Sequence, residues 1–180
     1  MGFGLKIIFL DFDGVLNSQK YFISNNDNLK EFLACNKNSI NSLDTKVERQ
    51  MLDIDIKNLA NLVKLVRSTN AKVVVTSSWK ILEVFPRIMT RLGKLGVPII
   101  GVTEDNGINR GLGIRDYLEK HNIKNYIILD DDIFPDYDDE LLDHLIKTSF
   151  YEDGLNKELM MEAINLLNSK KVLVKKRKIY

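Results

Sequence analysis

The sequence predicts an α/β fold: a parallel sheet with helices on both faces, in three layers. Three observations predict it. Segments of strand pattern alternate with segments of helical pattern along the 180 residues. The strand segments are continuous apolar runs, as expected of strands covered on both sides. Polar clusters close three of those runs: Asp11/Asp13, Thr76/Ser77/Ser78 and Asp130/Asp131/Asp132.

Leu5–Leu10 reads as a buried strand stopped by the turn chemistry of Asp13-Gly14. An Asn- and Lys-rich interval, Ser18–Leu52, has weak periodicity and is expected to be a small cap or insertion, helical near Leu29–Leu33. From Ile54 to Ser68 the residues Ile56, Leu59, Leu62, Val63 and Val66 share one helical face, with Asp53 placed as the cap. Lys72–Thr76 is β-branched and reads as the second strand. A helix from about Pro86 turns Ile88, Met89 and Leu92 inward and ends at Gly93 or Gly96. Val97–Val102 is a third strand, Leu112–His121 a short helix ending at Asn122, and Tyr126–Leu129 a fourth strand. Asn156 caps a last helix whose stripe is Leu159, Ala163, Leu166 and Leu167, and Val172–Val174 reads as one more strand. Neither a repeat nor a long linker interrupts the pattern, so residues 1–180 are expected to form a single domain, with 18–52 as its insertion.

Composition narrows the functional classes. The chain is 44% apolar and 28% charged, with a formal charge of +1, so no general attraction to nucleic acid or lipid is built in. Charge is nonetheless uneven, with acids crowded between Asp130 and Asp143 and bases between Lys170 and Lys178. A single cysteine, Cys35, rules out an intrachain disulfide and points to a reducing compartment. With no membrane-length apolar run and no secretory layout at the N-terminus, a cytoplasmic location is expected.

The stretch IIFLDFDGVLNS concentrates charge where solubility does not need it. Side chains at i and i+2 of an extended chain leave the same face roughly 6–7 Å apart. Two carboxylates there repel by ~2–3 kcal/mol at an effective dielectric near 20. In open parallel sheets ligands bind beyond the carboxyl ends of the strands, where all three clusters fall. Five carboxylates at one edge call for a divalent cation, and an oxygen-only shell favours Mg²⁺. Hydroxyls and backbone N–H groups after Val75 could then hold phosphate oxygens. A Ca²⁺ loop of the EF-hand type is excluded, because Val15 and Phe22 stand where ligands are needed. His121 and His144 have no metal-ligand spacing.

DFDGVLN (Asp11–Asn17), VVVTSS (Val73–Ser78) and IILDDDIFPD (Ile127–Asp136), in that order at strand ends, resemble the first, second and fourth motifs of the haloacid-dehalogenase (HAD) superfamily. More narrowly the chain resembles the HAD domain of Swiss Army Knife RNA repair proteins. The residues that carry this are Ser77–Trp79, Arg110–Gly111, Leu129–Asp132 and Gly154–Leu155. The resemblance implies a Rossmannoid, HAD-like fold and a phosphatase acting on a phosphorylated substrate, with RNA or DNA ends or nucleotides suggested by the subgroup. It implies that Asp11 attacks phosphorus and becomes an aspartyl-phosphate, while Asp13 protonates the leaving oxygen and then activates water. Mg²⁺ would be held by Asp11, the backbone carbonyl of Asp13 and Asp131, with Asp130 the second choice and Asp136 a further metal-side candidate. Thr76 would bond the transferring phosphoryl group, beside Ser77, Ser78, Trp79 and Lys80 on the substrate side. The cation of the third motif is placed at Arg110, with Arg115, Lys94 and Lys80 as alternatives. Lys80 stands where the subgroup commonly has Arg, which would remove bidentate recognition. Trp79 can stack on a base or pack in the core. Two rival classes stand beside this reading: a small-molecule phosphatase, and a non-catalytic module that kept the fold.

Overall fold

The computed structural model describes residues 4–104 and 109–169. Five strands form one all-parallel sheet: β1 (Lys6–Leu10), β2 (Lys72–Val75), β3 (Ile99–Val102), β4 (Asn125–Asp130) and β5 (Leu145–Lys147), in spatial order β3-β2-β1-β4-β5. The chain builds outward from β1 to β2 and β3, then returns to β1's other side for β4 and β5. The reversal of direction falls beside β1, and a crevice opens there at the strands' carboxyl ends.

Successive residues of β1 point to opposite faces, and both faces are covered. Ile8 and Leu10 join a core built with Leu59 and Leu62 of α3 (Ile56–Thr69), Ile88 and Leu92 of α4 (Phe85–Lys94), and Met160 and Ala163 of α7 (Lys157–Asn168). Ile7 and Phe9 face Ile114 of α5 (Arg110–Lys120) and Leu141 of the short α6 (Asp139–Asp143). The three-layer α/β arrangement expected from the apolar runs is therefore present. β5 was not foreseen, because three residues are too few to show a pattern. Val172–Val174 and the basic run lie outside the described residues.

Residues 18–52 carry two helices, α1 (Gln19–Cys35) and α2 (Leu43–Met51). Ser18 caps α1, accepting from the Tyr21 N–H. No residue of α1 is buried, which is why its sequence shows so little periodicity. Tyr21 Oη and Asn25 Nδ2 both donate to the Leu52 carbonyl, tying α1 to the insertion's far end. On α2, Thr45 and Val47 are buried, and Arg87 and Arg91 of α4 pair with Asp44 and Glu48. Asp53 is not the cap of α3. Asp55 is, its carboxylate accepting from the Lys57 N–H at 2.8 Å, while Asp53 pairs with Arg49 at 2.6 Å. The helix begins two residues later than expected because Asp55 N–H is anchored on the Leu16 carbonyl. Among the described residues no helix is long and apolar enough to cross a membrane.

Candidate active site

The parallel ladder extends one residue past β1, β2 and β3 and so brings three side chains to the same edge. Asp11 N–H donates to the Leu129 carbonyl, Thr76 N–H to Leu10 and Thr103 N–H to Val75, at 2.9–3.0 Å. Asp11, Thr76 and Asp130 are all buried, at 6%, 0% and 0% exposure.

Arg110, the first residue of α5, lies between the two carboxylates. Its Nη1 donates to Asp11 Oδ2 at 2.6 Å and to Asp130 Oδ2 at 2.5 Å. Phe134 packs against the guanidinium, 4.3 Å from Cζ to the ring centroid, and Tyr137 Oη donates to Asp130 Oδ2 at 3.3 Å. Burial works against the Arg110 charge, but Asp11 and Asp130 outweigh it and hold the pKa above its ordinary value. Burial, and then the nearby Asp11 charge, pushes Asp130 up to about 7 against the pull of Arg110. One guanidinium cannot neutralise two buried carboxylates, so the cluster keeps negative charge to spare.

Asp131 adds to the excess. Burial, Asp11 and Asp132 raise its pKa, and among the described residues no ion pair reaches it. Its side chain lies over Gly14, where a Cβ would sit 2.2 Å from Asp131 Cγ. Gly14 also has φ of +68°, so both backbone and space require glycine there. Asp11, Asp130 and Asp131 each offer an oxygen, all within 4.8 Å of one another. This all-oxygen, negatively charged set fits a hard divalent cation. Asp130 is the weakest ligand of the three, because Arg110, Tyr137 and the Asp132 N–H already occupy its oxygens.

The other expected residues separate into distinct positions. The carboxylate of Asp13 is half-buried and accepts from Asn17 Nδ2 at 2.9 Å and Trp79 Nε1 at 3.0 Å. Thr76 Oγ1 is buried and, among the described residues, has no hydrogen-bond partner. Ser77 is fully buried and caps a 3₁₀ turn, Ser78–Ile81, accepting from the Trp79 N–H; Ser78 is exposed. Trp79 is 6% exposed and packs edge-on against Phe12, so its ring faces the core rather than solvent. Lys80 Nζ donates to the Thr103 carbonyl at 3.1 Å. Asp136 accepts from the Leu112 N–H at 2.9 Å and so anchors the start of α5. Arg115 pairs with Asp138 and Glu140, away from the carboxylate cluster. Sequence reasoning missed Asn17, Phe134 and Tyr137. Asn17 stood inside the quoted DFDGVLN, but nothing in its spacing announced two contacts.

Comparison of the chain with curated proteins and with solved structures finds no significant match. The family profile described as "HAD domain in Swiss Army Knife RNA repair proteins" matches residues 7–160. The match spans all five strands and every side chain of the cluster just described. HAD proteins typically use a metal, and the acidic cluster is one that could hold it. The chain therefore belongs to the family of HAD domains in Swiss Army Knife RNA repair proteins, and with it to the phosphohydrolases of the HAD type.

Proposed function

We propose that the protein is a Mg²⁺-dependent phosphatase that works through an aspartyl-phosphate on Asp11, acting on phosphorylated nucleic-acid ends or nucleotides. The observation that carries the reading is the group of Asp11, Asp130 and Asp131 oxygens within 4.8 Å, with Arg110 among them. The partnerless hydroxyl of Thr76 at the same sheet edge supports it.

Asp11 would hold the ion together with Asp131 and the Asp13 carbonyl, and bound Mg²⁺ would supply positive charge to the phosphoryl oxygens. In the first step an Asp11 oxygen bonds to phosphorus, the phosphorus–leaving-oxygen bond breaks, and Asp13 gives that oxygen a proton. In the second, Asp13 takes a proton from water, the water oxygen bonds to phosphorus, and the Asp11–phosphorus bond breaks to release phosphate. Thr76 Oγ1 donates to a non-bridging oxygen, satisfying a buried group that would otherwise go unpaired. Arg110 offsets the charge gathered on Asp11 and the phosphoryl group. Residues 18–52 act as a small cap that leaves the site open. Ser78 and Asp132 are exposed, and α1 buries none of its residues. An open edge suits a large substrate, and the family's association with RNA repair proteins supports the same reading.

The test is release of phosphate from p-nitrophenyl phosphate, 3′- and 5′-phosphorylated oligonucleotides, free nucleotides and sugar phosphates, with Mg²⁺ and with EDTA. Mg²⁺-dependent turnover that Asp11→Asn abolishes is expected, faster on oligonucleotides than on free nucleotides. Turnover that survives Asp11→Asn would refute the phosphoenzyme. Equal or reversed substrate preference would favour the small-molecule phosphatase.

A further inference from the structure

Asp13 is the one acid of the site whose two oxygens are both held by neutral side-chain donors. Trp79 Nε1 donates to Oδ2 at 3.0 Å, and Asn17 Nδ2 donates to Oδ1 at 2.9 Å. Both donors are buried. Asn17 is 0% exposed, and its Oδ1 accepts from the Gly14 N–H at 2.9 Å, which leaves only its amide nitrogen to face Asp13. Trp79 is 6% exposed, its ring set edge-on to Phe12 at 5.0 Å between centroids. These contacts fix the carboxyl plane of Asp13 on a turn whose backbone is itself held by the Val15 and Leu16 N–H groups donating to the Phe12 carbonyl.

We propose that Trp79 and Asn17 are positioning residues that hold Asp13 in the orientation proton transfer needs, rather than groups that touch the substrate. The inference rests on the phosphatase reading above. An indole N–H and an amide N–H only donate. Neither can accept a proton from Asp13, so proton transfer between Asp13 and a leaving oxygen uses a lone pair that neither donor occupies. The direction of proton delivery is thus set by contacts 4 and 66 residues away in sequence.

A poor leaving group needs that proton, whereas p-nitrophenolate departs without it. Trp79→Phe keeps a ring on Phe12 and deletes the N–H; Trp79→His overlays an N–H on the indole Nε1 position. The expected result is that Trp79→Phe lowers kcat for an alkyl phosphate about tenfold more than for p-nitrophenyl phosphate. KM should change little, and Trp79→His should recover most of the difference. General acid–base assistance is worth 10²–10⁴-fold overall, so a tenfold loss is a modest share of it. Equal loss on both substrates, or a His variant no better than Phe, would overturn the positioning role. Because Trp79 is the only tryptophan, its fluorescence in a folded Asp13→Ala protein reads the contact even if the residue 79 variants fail to fold. Asp13→Ala should shift the emission, and unchanged emission would overturn the contact itself. A wild-type protein that releases no phosphate from any substrate would instead refute the phosphatase reading, a result distinct from either of these.

Discussion

Asp11 and Asp130 share one guanidinium, and the shortfall of positive charge costs stability that the reaction requires. Asp130 is pushed from 3.8 up to about 7, so the folded state binds its proton more tightly than the unfolded chain does. The sign follows: this group's contribution to stability is greatest below about pH 4 and falls as pH rises toward 7. Since Asp11 is one cause of the shift, Asp11→Asn should raise the melting temperature in EDTA, more at pH 8 than at pH 5, while abolishing turnover. Thermal melts at the two pH values check it, and an equal or lower melting temperature at pH 8 would contradict it. Gly14 is the other sensitive residue. Gly14→Ala would force a left-handed backbone on alanine, costing about 1–2 kcal/mol, and drive Cβ into Asp131. Denaturant melts should show that loss, and calorimetry should show weakened Mg²⁺ binding as Asp131 is displaced.

At the scale of elements, α3 starts where Asp55, not Asp53, accepts from the Lys57 N–H. Asp55→Ala should therefore cost about 1 kcal/mol in a denaturant melt, the usual worth of such a cap. α2 is held to α4 by exposed ion pairs and by the buried Val47. Exposed pairs contribute little and are screened at high salt, whereas burial is not. Amide exchange of α2 should thus barely change in 1 M NaCl. Val47→Asp should release α2 while the amides of β1 and β4 stay protected. Uniform loss of protection would mean that the insertion and the sheet unfold together.

For the whole molecule, the reversal of strand order beside β1 is what brings acids 120 residues apart, Asp11 and Asp131, to one edge. A cation that binds this edge in the folded state alone must stabilise the fold by mass action. Mg²⁺ should raise the melting temperature of the wild-type protein, and the rise should be lost in Asp131→Asn. The insertion returns to the same edge. The Asp55 N–H, three residues past the insertion, donates to the Leu16 carbonyl in the turn that follows Asp13.

Much of this was legible before any coordinates. Short β-branched apolar runs that stop at acids mark β1 and β4 and the edge where they end, because a strand covered on both faces has no alternation to show. α1 was largely hidden, since a helix with no buried face carries no stripe. The caps at Asp53 and Asp55 could not be told apart, because the choice depends on where Leu16 anchors the chain.

By itself, then, the sequence, which hid β5 and offered the acids at the strand ends as candidates, determined the α/β class and the order of β1 to β4 along the chain. These follow from local hydrophobic pattern. Only the tertiary structure decided that Arg110 bridges Asp11 and Asp130, that Trp79 turns inward to hold Asp13, and that, among the described residues, Asp130 is ion-paired while Asp131 is not. Such pairings span from 20 to 99 residues of chain in the case of Arg110 alone, and depend on strand order and side-chain direction, which no local pattern encodes.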